Sequence, residues 1–284
     1  MTKNTTKSVK AYKNLPFLSS PDARLIRMMS EYLEPFSRFR RYKVADTLVF
    51  FGSARIRSSD AVHKDIEQVK SLSAQALKKN PTRIAKLEGE LNMARYYDDA
   101  VILARNLTEW SMGLGKGKRR FIVCTGGGGG IMEAANRGAK EADGLSIGLN
   151  ISLPLEQEPN SYITPDLNFE FHYFFMRKFW FVYLAKALII FPGGFGTFDE
   201  LFEVLTLIQT EKSRKNMPVV VYGTDYWNEI INFEALVRRG TIDPEDLNLI
   251  HFSNDPEEAF TYLTNALSNL YLKKKKTRTQ APGT

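Results

Sequence analysis

Short apolar runs alternate with amphipathic stretches along most of the chain. The apolar runs predict buried strands at 47–51, 120–125, 145–151, 169–171, 187–191, 218–222 and 249–253. The intervening stretches have apolar residues at helical spacing and predict helices at 131–142, 173–185, 197–211, 225–239 and 255–270. Such alternation favours a mostly parallel sheet with helices on both faces. The predicted fold class is therefore α/β, a Rossmann-like doubly wound sheet.

Helical additions accompany this pattern. A helix is predicted at 22–40, closing near Pro35 or soon after, and the charged stretch 62–112 predicts two helices with a break at Asn80-Pro81. No linker divides the chain between 45 and 270. We expect an N-terminal tail and helix at 1–44, one Rossmann-like domain at 45–270 with a helical insertion at 62–112, and a basic disordered tail at 271–284.

The net charge of +7 is located in the chain ends. Residues 1–20 and 271–284 together carry nine Lys and Arg and no Asp or Glu, which leaves about −2 for the rest of the chain. A basic platform for nucleic acid is therefore not expected on the folded part. The chain has no apolar run of membrane-spanning length and no apolar signal segment at its start. We expect a cytoplasmic protein that binds neither nucleic acid nor membranes.

Cysteine and histidine give no sign of a disulfide or a metal site. Cys124 is the only cysteine and lies in a predicted strand, where a buried structural thiol is the expected interpretation. His63, His172 and His251 are scattered along the sequence. We expect neither a metal nor an organic cofactor.

Glycine-bearing turns follow the predicted strands at Gly52-Ser53-Ala54-Arg55, Thr125–Gly130 and Pro192–Thr197. In a doubly wound sheet, ligands bind at the carboxyl ends of the strands. A bare backbone before a helix also presents free N–H groups and the positive helix end, an arrangement suited to phosphate. We expect these turns to seat a phosphate through Gly52, Ser53, Gly127, Gly128, Gly129, Gly193, Gly194 and Gly196.

Other known loop types fit these turns less well. The chain has no Gly-x4-Gly-Lys-Ser/Thr loop. A dinucleotide fingerprint that starts at Gly126 would place its third glycine at Ile131, so a dehydrogenase is a weaker alternative that stays open. Ser53 lacks both a Gly-x-Ser-x-Gly context and an evident His partner, and it is expected to contact a ligand instead of acting as a nucleophile.

Charged residues accompany the third turn. Asp199 and Glu200 are predicted in the first turn of the helix that follows it, where carboxylates either balance the helix dipole or carry chemistry. Arg177 and Lys178 open the helix that leads into the strand at 187–191. Paired cations near two anion-binding turns favour a phosphorylated substrate.

Together these motifs resemble the Lonely Guy family of nucleoside-monophosphate phosphoribohydrolases, whose members are often labelled lysine decarboxylases. The resemblance rests on the Pro-Gly-Gly-x-Gly-Thr-x-x-Glu sequence at 192–200, on Arg177-Lys178 before it and on Thr206 after it. The Gly52-Ser53 turn and the polyglycine loop with Met132-Glu133 are also similar. It covers roughly residues 45–255, and the insertion at 62–112 and the N-terminal extension depart from it.

The resemblance implies a function and roles for particular residues. The implied reaction is hydrolysis of the N-glycosidic bond of a purine nucleoside 5′-monophosphate, AMP or a cytokinin riboside monophosphate, by a homodimer or larger homo-oligomer. Glu200 is the implied catalytic carboxylate and Arg177 its partner, while Met132, Lys178, Thr197 and Thr206 complete the substrate pocket. A nucleotide- or cofactor-binding carrier of the same fold, without turnover, is the alternative.

Overall fold

The computed structural model describes residues 8–71, 81–115, 117, 119–153, 158–212 and 215–273. The predicted basic tail at 271–284 lies outside the described residues from 274 onward. The same holds for Asn80, at the predicted break inside the insertion.

A seven-stranded sheet forms the centre of the described structure, and its order is β4-β3-β2-β1-β5-β6-β7. Every neighbouring pair is parallel. The strands are β1 Thr47–Phe51, β2 Ile122–Thr125, β3 Ser146–Ile151, β4 Asn168–Phe171, β5 Ala185–Ile190, β6 Val219–Tyr222 and β7 Ile250–Ser253. The α/β, doubly wound fold class is confirmed.

Helices connect the strands and extend the chain before them. They are α1 Leu15–Leu18, α2 Arg24–Arg41, α3 Ser59–Lys70, α4 Pro81–Met112, α5 Ile131–Glu141, α6 Phe174–Leu184, α7 Phe195–Gln209, α8 Thr224–Ile230, α9 Phe233–Arg238 and α10 Pro256–Leu267. Within the described part of the chain, no helix combines the length and the apolar character that crossing a membrane requires.

The two faces of the sheet bury separate cores. In β1, Leu48 and Phe50 pack with α4, α5 and α10 on one face, whereas Val49 and Phe51 pack with α2, α6 and α7 on the other. Successive side chains of a strand point to opposite faces. A strand covered on both sides must therefore be apolar throughout, which is why these strands appear as uninterrupted apolar runs.

Three predicted helices differ from the observed ones. α2 runs through Pro35 and ends at Arg41, one residue beyond the predicted end. The helix predicted at 225–239 is two helices, because α8 ends at Ile230 and the Asn232 side chain caps α9 by accepting a hydrogen bond from Ala235 N. α7 begins at Phe195, two residues before the predicted start.

The long insertion helix α4 packs closely against α5. A methyl group at Gly138 of α5 would lie 2.2 Å from the Val101 carbonyl oxygen of α4, and one at Gly144 would lie 2.1 Å from Thr108 Cγ2. Across the same interface, the Tyr97 hydroxyl donates a hydrogen bond to Glu133 Oε1 at 2.7 Å. The absence of side chains at these glycines lets the backbones approach.

We therefore expect alanine to have opposite effects at two helical glycines. Gly138→Ala should lower the free energy of unfolding by about 2 kcal/mol, because the added methyl overpacks the interface. Gly89→Ala, in α4 with no atom within 4 Å of the new methyl, should raise it by about 0.5–1 kcal/mol through helix propensity alone. Urea unfolding of both variants checks the pair, and a stabilised Gly138→Ala would contradict the close packing.

Candidate active site at the switch point of the sheet

The three predicted glycine turns lie side by side at one edge of the sheet. β2, β3 and β4 extend to one side of β1, and β5, β6 and β7 extend to the other. The turns follow β2, β1 and β5, which are adjacent strands. Since parallel strands end at the same edge, the turns line the crevice where a doubly wound fold binds ligands.

The backbone of Ser53 connects these turns. Ser53 N donates to the Pro192 carbonyl oxygen at 2.9 Å, and Ile131 N donates to the Ser53 carbonyl oxygen at 3.0 Å. Its neighbours are correspondingly crowded: a methyl at Gly52 would lie 2.7 Å from Ile131, and one at Gly193 would lie 2.1 Å from Thr197 Oγ1. Gly52 and Gly193 therefore allow the close packing of the loops, and contact with a ligand stays a prediction for both.

The polyglycine loop is held from outside by polar side chains. Gly127 N donates to Thr125 Oγ1 at 3.0 Å, and the Asn160 amide donates to the Gly127 and Gly128 carbonyl oxygens at 3.0 and 2.9 Å. Gly127 also has a φ of 77°, and a methyl there would lie 2.1 Å from Asn150 Oδ1. Glycine is required at this position by both conformation and space.

Several loop N–H groups remain available to a ligand. Among the described residues, none accepts a hydrogen bond from the N–H of Gly128, Gly129, Gly194 or Gly196. No side chain caps α5 or α7 at their N-terminal ends. Free N–H groups at two helix starts form a setting that favours an anion.

Met132 and Thr197 border the same loops. The Met132 sulfur lies 2.8 Å from the position that a methyl at Gly126 would take. Thr197 is buried at 6% exposure, and its N–H donates to the Gly194 carbonyl oxygen at 2.9 Å. The structure thus brings both residues to the crevice, where substrate contact stays a prediction.

Glu200 is a buried carboxylate with an unpartnered oxygen. It is the sixth residue of α7, so it does not lie in the first turn, and it is 3% exposed. Its Oε2 is buried, and no described residue forms a hydrogen bond with it. Burial raises the pKa of Glu200 to about 7, although the nearby Lys178 and Arg177 charges oppose the rise. The alternative interpretation as a helix cap does not fit this position.

Arg177 is the matching cation, and its side chain is half-buried. Its Nε is buried, and no described residue accepts a hydrogen bond from it. Its guanidinium lies 5.3 and 5.6 Å from the Phe174 and Phe181 ring centroids, and its Nη1 lies 3.9 Å from the methyl position of Gly126. Burial lowers its pKa, and the Glu200 charge opposes that change. An unpartnered cation beside an unpartnered carboxylate is typical of a site that awaits a ligand.

Lys178, by contrast, has partners on α7. Its Nζ lies 2.8 Å from Asp199 Oδ2 and 2.7 Å from Glu203 Oε2. The same lysine lines a groove of about 660 Å³ between α6 and α7, together with Phe175 and Phe179. Its charge is therefore largely balanced within the protein.

Thr206 lies on the exposed side of α7, and its hydroxyl donates to the Phe202 carbonyl oxygen at 2.7 Å. Six residues separate it from Glu200, which is roughly 9 Å along a helix axis. The structure does not bring it next to the buried pair, so its role in substrate binding stays a prediction.

Comparison with known proteins supports the family resemblance. Residues 132–263 match a family model described as possible lysine decarboxylase. A relative from Oryza sativa subsp. japonica, named as a probable cytokinin riboside 5′-monophosphate phosphoribohydrolase, is 28% identical over 51% of this chain and 63% of its own length. These matches support the resemblance of the chain to the Lonely Guy family.

The curated relatives are longer than the parts that match. A pyrimidine/purine nucleotide 5′-monophosphate nucleosidase from Escherichia coli strain K12 is 30% identical over 41% of this chain, and the match spans 28% of that protein. The chain therefore spans less than two thirds of either relative.

Solved structures give weaker similarity. A molybdenum cofactor binding protein from Rippkaea orientalis is 22% identical, with a TM-score of 0.43 and coverage of 61% of this chain and 88% of that one. A Moco carrier protein from Chlamydomonas reinhardtii is 23% identical, with a TM-score of 0.40 and coverage of 60% and 89%.

Some residues of this candidate site were not predicted from the sequence. Asn160 holds the polyglycine loop, Asn150 approaches Gly127, and the Tyr226 hydroxyl donates to the Gly193 carbonyl oxygen at 2.8 Å. They lie in β3, in the loop that follows it and in α8, and they belong to no glycine motif. Only their polar character at strand or helix ends could have drawn attention to them.

The raised pKa of Glu200 leads to a prediction about stability. Because the folded state holds this proton more tightly than the unfolded state, wild type should lose stability as the pH rises from about 4.5 to about 7. Glu200→Gln removes that loss, so its free energy of unfolding relative to wild type should increase over the same range, by up to about 3 kcal/mol.

Urea unfolding at pH 5 and pH 8 measures the effect. Glu67→Gln, which replaces an exposed carboxylate of α3, is the matched control and should follow wild type at both pH values. An equal pH dependence of stability in Glu200→Gln and wild type would contradict the raised pKa of the Glu200 carboxylate.

Proposed function

We propose that this chain hydrolyses the N-glycosidic bond of nucleoside 5′-monophosphates, releasing the free base and ribose 5-phosphate. The observation that carries the proposal is the pair of Arg177 and Glu200, each with a buried polar atom that has no partner among the described residues, at the switch point of the sheet. The names of the two relatives support this class of substrate.

The chemistry needs a carboxylate at the sugar. As the bond from C1′ to the base nitrogen breaks, positive charge develops on the ribose ring, and a buried carboxylate stabilises it strongly. Water supplies the oxygen that bonds to C1′, and its proton replaces the lost bond on the base. With a pKa of about 7, Glu200 can be ionised to stabilise the charge and can also accept the proton of the attacking water.

Arg177 suits the role of partner in this reaction. Its guanidinium is packed between aromatic rings beside the polyglycine loop. Its desolvated charge can hold a phosphate or ribose oxygen, or balance negative charge on the departing base. Its effect would then be felt in both substrate binding and turnover.

The loops suit the 5′-phosphate. Free N–H groups at Gly128, Gly129, Gly194 and Gly196 lie at two helix starts, and a methyl at Gly194 or Gly196 would meet no atom within 4 Å. These two glycines are therefore not explained by packing, whereas access of a ligand to bare backbone would explain them. We propose that Lys178 and Thr206 contribute from the edge of the site.

The identity of the substrate, the need for a cofactor and self-association are also proposals. AMP and a cytokinin riboside monophosphate are both candidate substrates, and no metal or organic cofactor is proposed. Self-association is supported by exposed aromatic residues along α6 and α7: Phe174, Phe175, Phe179, Tyr183, Phe195 and Phe202. The cytoplasmic location stays a prediction.

A panel of nucleotides tests the reaction itself. We expect free base from AMP or another nucleoside monophosphate and little from the matching nucleoside, because the loops are proposed to bind the phosphate. Chromatography of the released base measures this. Equal turnover of AMP and adenosine would contradict phosphate recognition, and tight nucleotide binding without release would favour the carrier.

Replacement of Glu200 tests the mechanism. Glu200→Gln keeps the shape of the side chain and should lower kcat for AMP by roughly 10²–10⁴ while changing nucleotide affinity little. In wild type, kcat should rise as the pH increases through about 7, because the carboxylate becomes ionised there. The Gln variant should lack that rise.

The control for this experiment is the preceding residue. Asp199 is 58% exposed in its side chain, and Lys178 keeps Glu203 as a partner when Asp199 is replaced. Asp199→Asn should therefore change kcat less than Glu200→Gln by at least an order of magnitude. A near-wild-type rate for Glu200→Gln would reject the mechanism.

A further inference from the structure

Helix α2 lies against the helix that carries Arg177. Trp180 of α6 is 2% exposed, and the rings of Phe39, Tyr32 and Phe36 of α2 surround it at centroid distances of 5.2, 5.6 and 6.5 Å. α2 precedes the segment that the family model matches. An element outside the matched segment is thus in direct contact with the proposed catalytic helix.

The carboxylate of Glu31 holds the start of α6. Glu31 Oε1 accepts a hydrogen bond from His172 N at 2.8 Å, and Oε2 accepts one from Tyr173 N at 3.2 Å. Tyr173 is the N-cap residue, and its own side chain caps nothing. An anion at this end is favoured by the helix dipole and satisfies N–H groups that the helix itself cannot.

Glu31 is linked to Arg177 through a single residue, Tyr173. Tyr173 donates its N–H to Glu31, and its carbonyl oxygen accepts the hydrogen bond from Arg177 N at 3.2 Å. The position of the Glu31 carboxylate therefore sets the position of the turn from which the Arg177 side chain projects.

Pro35 leaves the carbonyl oxygen of Glu31 free to bind α6. In a helix, the N–H of residue 35 would bond to the carbonyl oxygen of residue 31, but proline has no N–H. The Glu31 carbonyl oxygen instead accepts a hydrogen bond from Trp180 Nε1 at 2.9 Å. The Glu31 carbonyl oxygen thus binds the Trp180 side chain of α6, while the Glu31 carboxylate binds the backbone at the start of α6.

We propose that Glu31 is a positioning residue, which holds α6 so that the Arg177 guanidinium faces Glu200 across the crevice. The inference rests on the proposed function. The hydrogen bonds of Glu31 to described residues outside α2 involve His172, Tyr173 and Trp180 and neither Arg177 nor Glu200, so it acts through Tyr173. Displacing a catalytic group by about 1 Å can lower a rate by roughly 10²-fold.

The test combines Glu31→Ala and Glu31→Gln with Arg177→Ala. In wild type, Glu31→Ala should lower kcat/KM for AMP about tenfold or more. In the Arg177→Ala background, it should add less than about threefold, because the residue through which it acts is gone. Glu31→Gln keeps one acceptor oxygen and should lie between wild type and Glu31→Ala. It also serves if Glu31→Ala folds poorly.

Two measurements separate this proposal from the proposed function. Hydrogen exchange of the His172 and Tyr173 amides requires no activity, and it should be faster in Glu31→Ala. If wild type binds AMP without cleaving it, calorimetry can measure AMP affinity in wild type, Glu31→Ala, Arg177→Ala and the double variant. The effect of Glu31→Ala with and without Arg177 can then be compared through affinity instead of kcat/KM. Inactivity of wild type on all nucleotides would reject the proposed function, while exchange and binding would still decide the role of Glu31.

Glu34→Ala is the matched control, since it removes a carboxylate from the same helix. The Glu34 side chain is 53% exposed and pairs with Arg38. Glu34→Ala should match wild type in exchange and in kcat/KM. Unchanged exchange in Glu31→Ala, unchanged kcat/KM in an active enzyme, or an equal loss with and without Arg177 would each overturn the proposal.

Discussion

The two backbone hydrogen bonds of Ser53 are the constraint on which the site depends. They join the ends of β1 and β5 to the start of α5, and backbones can approach this closely only where side chains are missing. Gly52 and Gly193 provide that space. Once the three loops are joined, the start of α7 is fixed as well, and Glu200 follows at a set position on that helix.

The distribution of charge around the site follows from which groups pair within the protein. Lys178 is the cation that would most easily neutralise Glu200, but Asp199 and Glu203 bind it. Arg177 is nearby without an ion pair among the described residues. Burial keeps the pKa of Glu200 near 7, so this carboxylate is neither strongly acidic nor permanently protonated. Unpaired burial reduces stability, which is a common feature of sites that bind charged ligands.

The sequence predicted those parts of the fold that depend on local pattern. A strand buried on both faces must be apolar, and a turn at a close approach must contain glycine, so the seven strands and the three loops were found. The pairing of Arg177 with Glu200 came from the family resemblance. The division at Asn232 rests on a local cap that the apolar spacing of 225–239 does not reveal. The contact of Asn160 with Gly127 joins segments 33 residues apart. No local preference encodes such contacts.

Pro35 shows how a residue that weakens a helix can specify how that helix docks. An ordinary helix repeats the same saturated backbone at every turn, so an apolar neighbour can slide along it or rotate about it at small cost. A single missing N–H makes one carbonyl different from all others. Because the Trp180 indole binds that carbonyl, only one alignment of α2 on α6 satisfies both groups. The proline thus marks one position along the helix. Aromatic contacts alone are largely interchangeable, and this single hydrogen bond gives the interface one defined register.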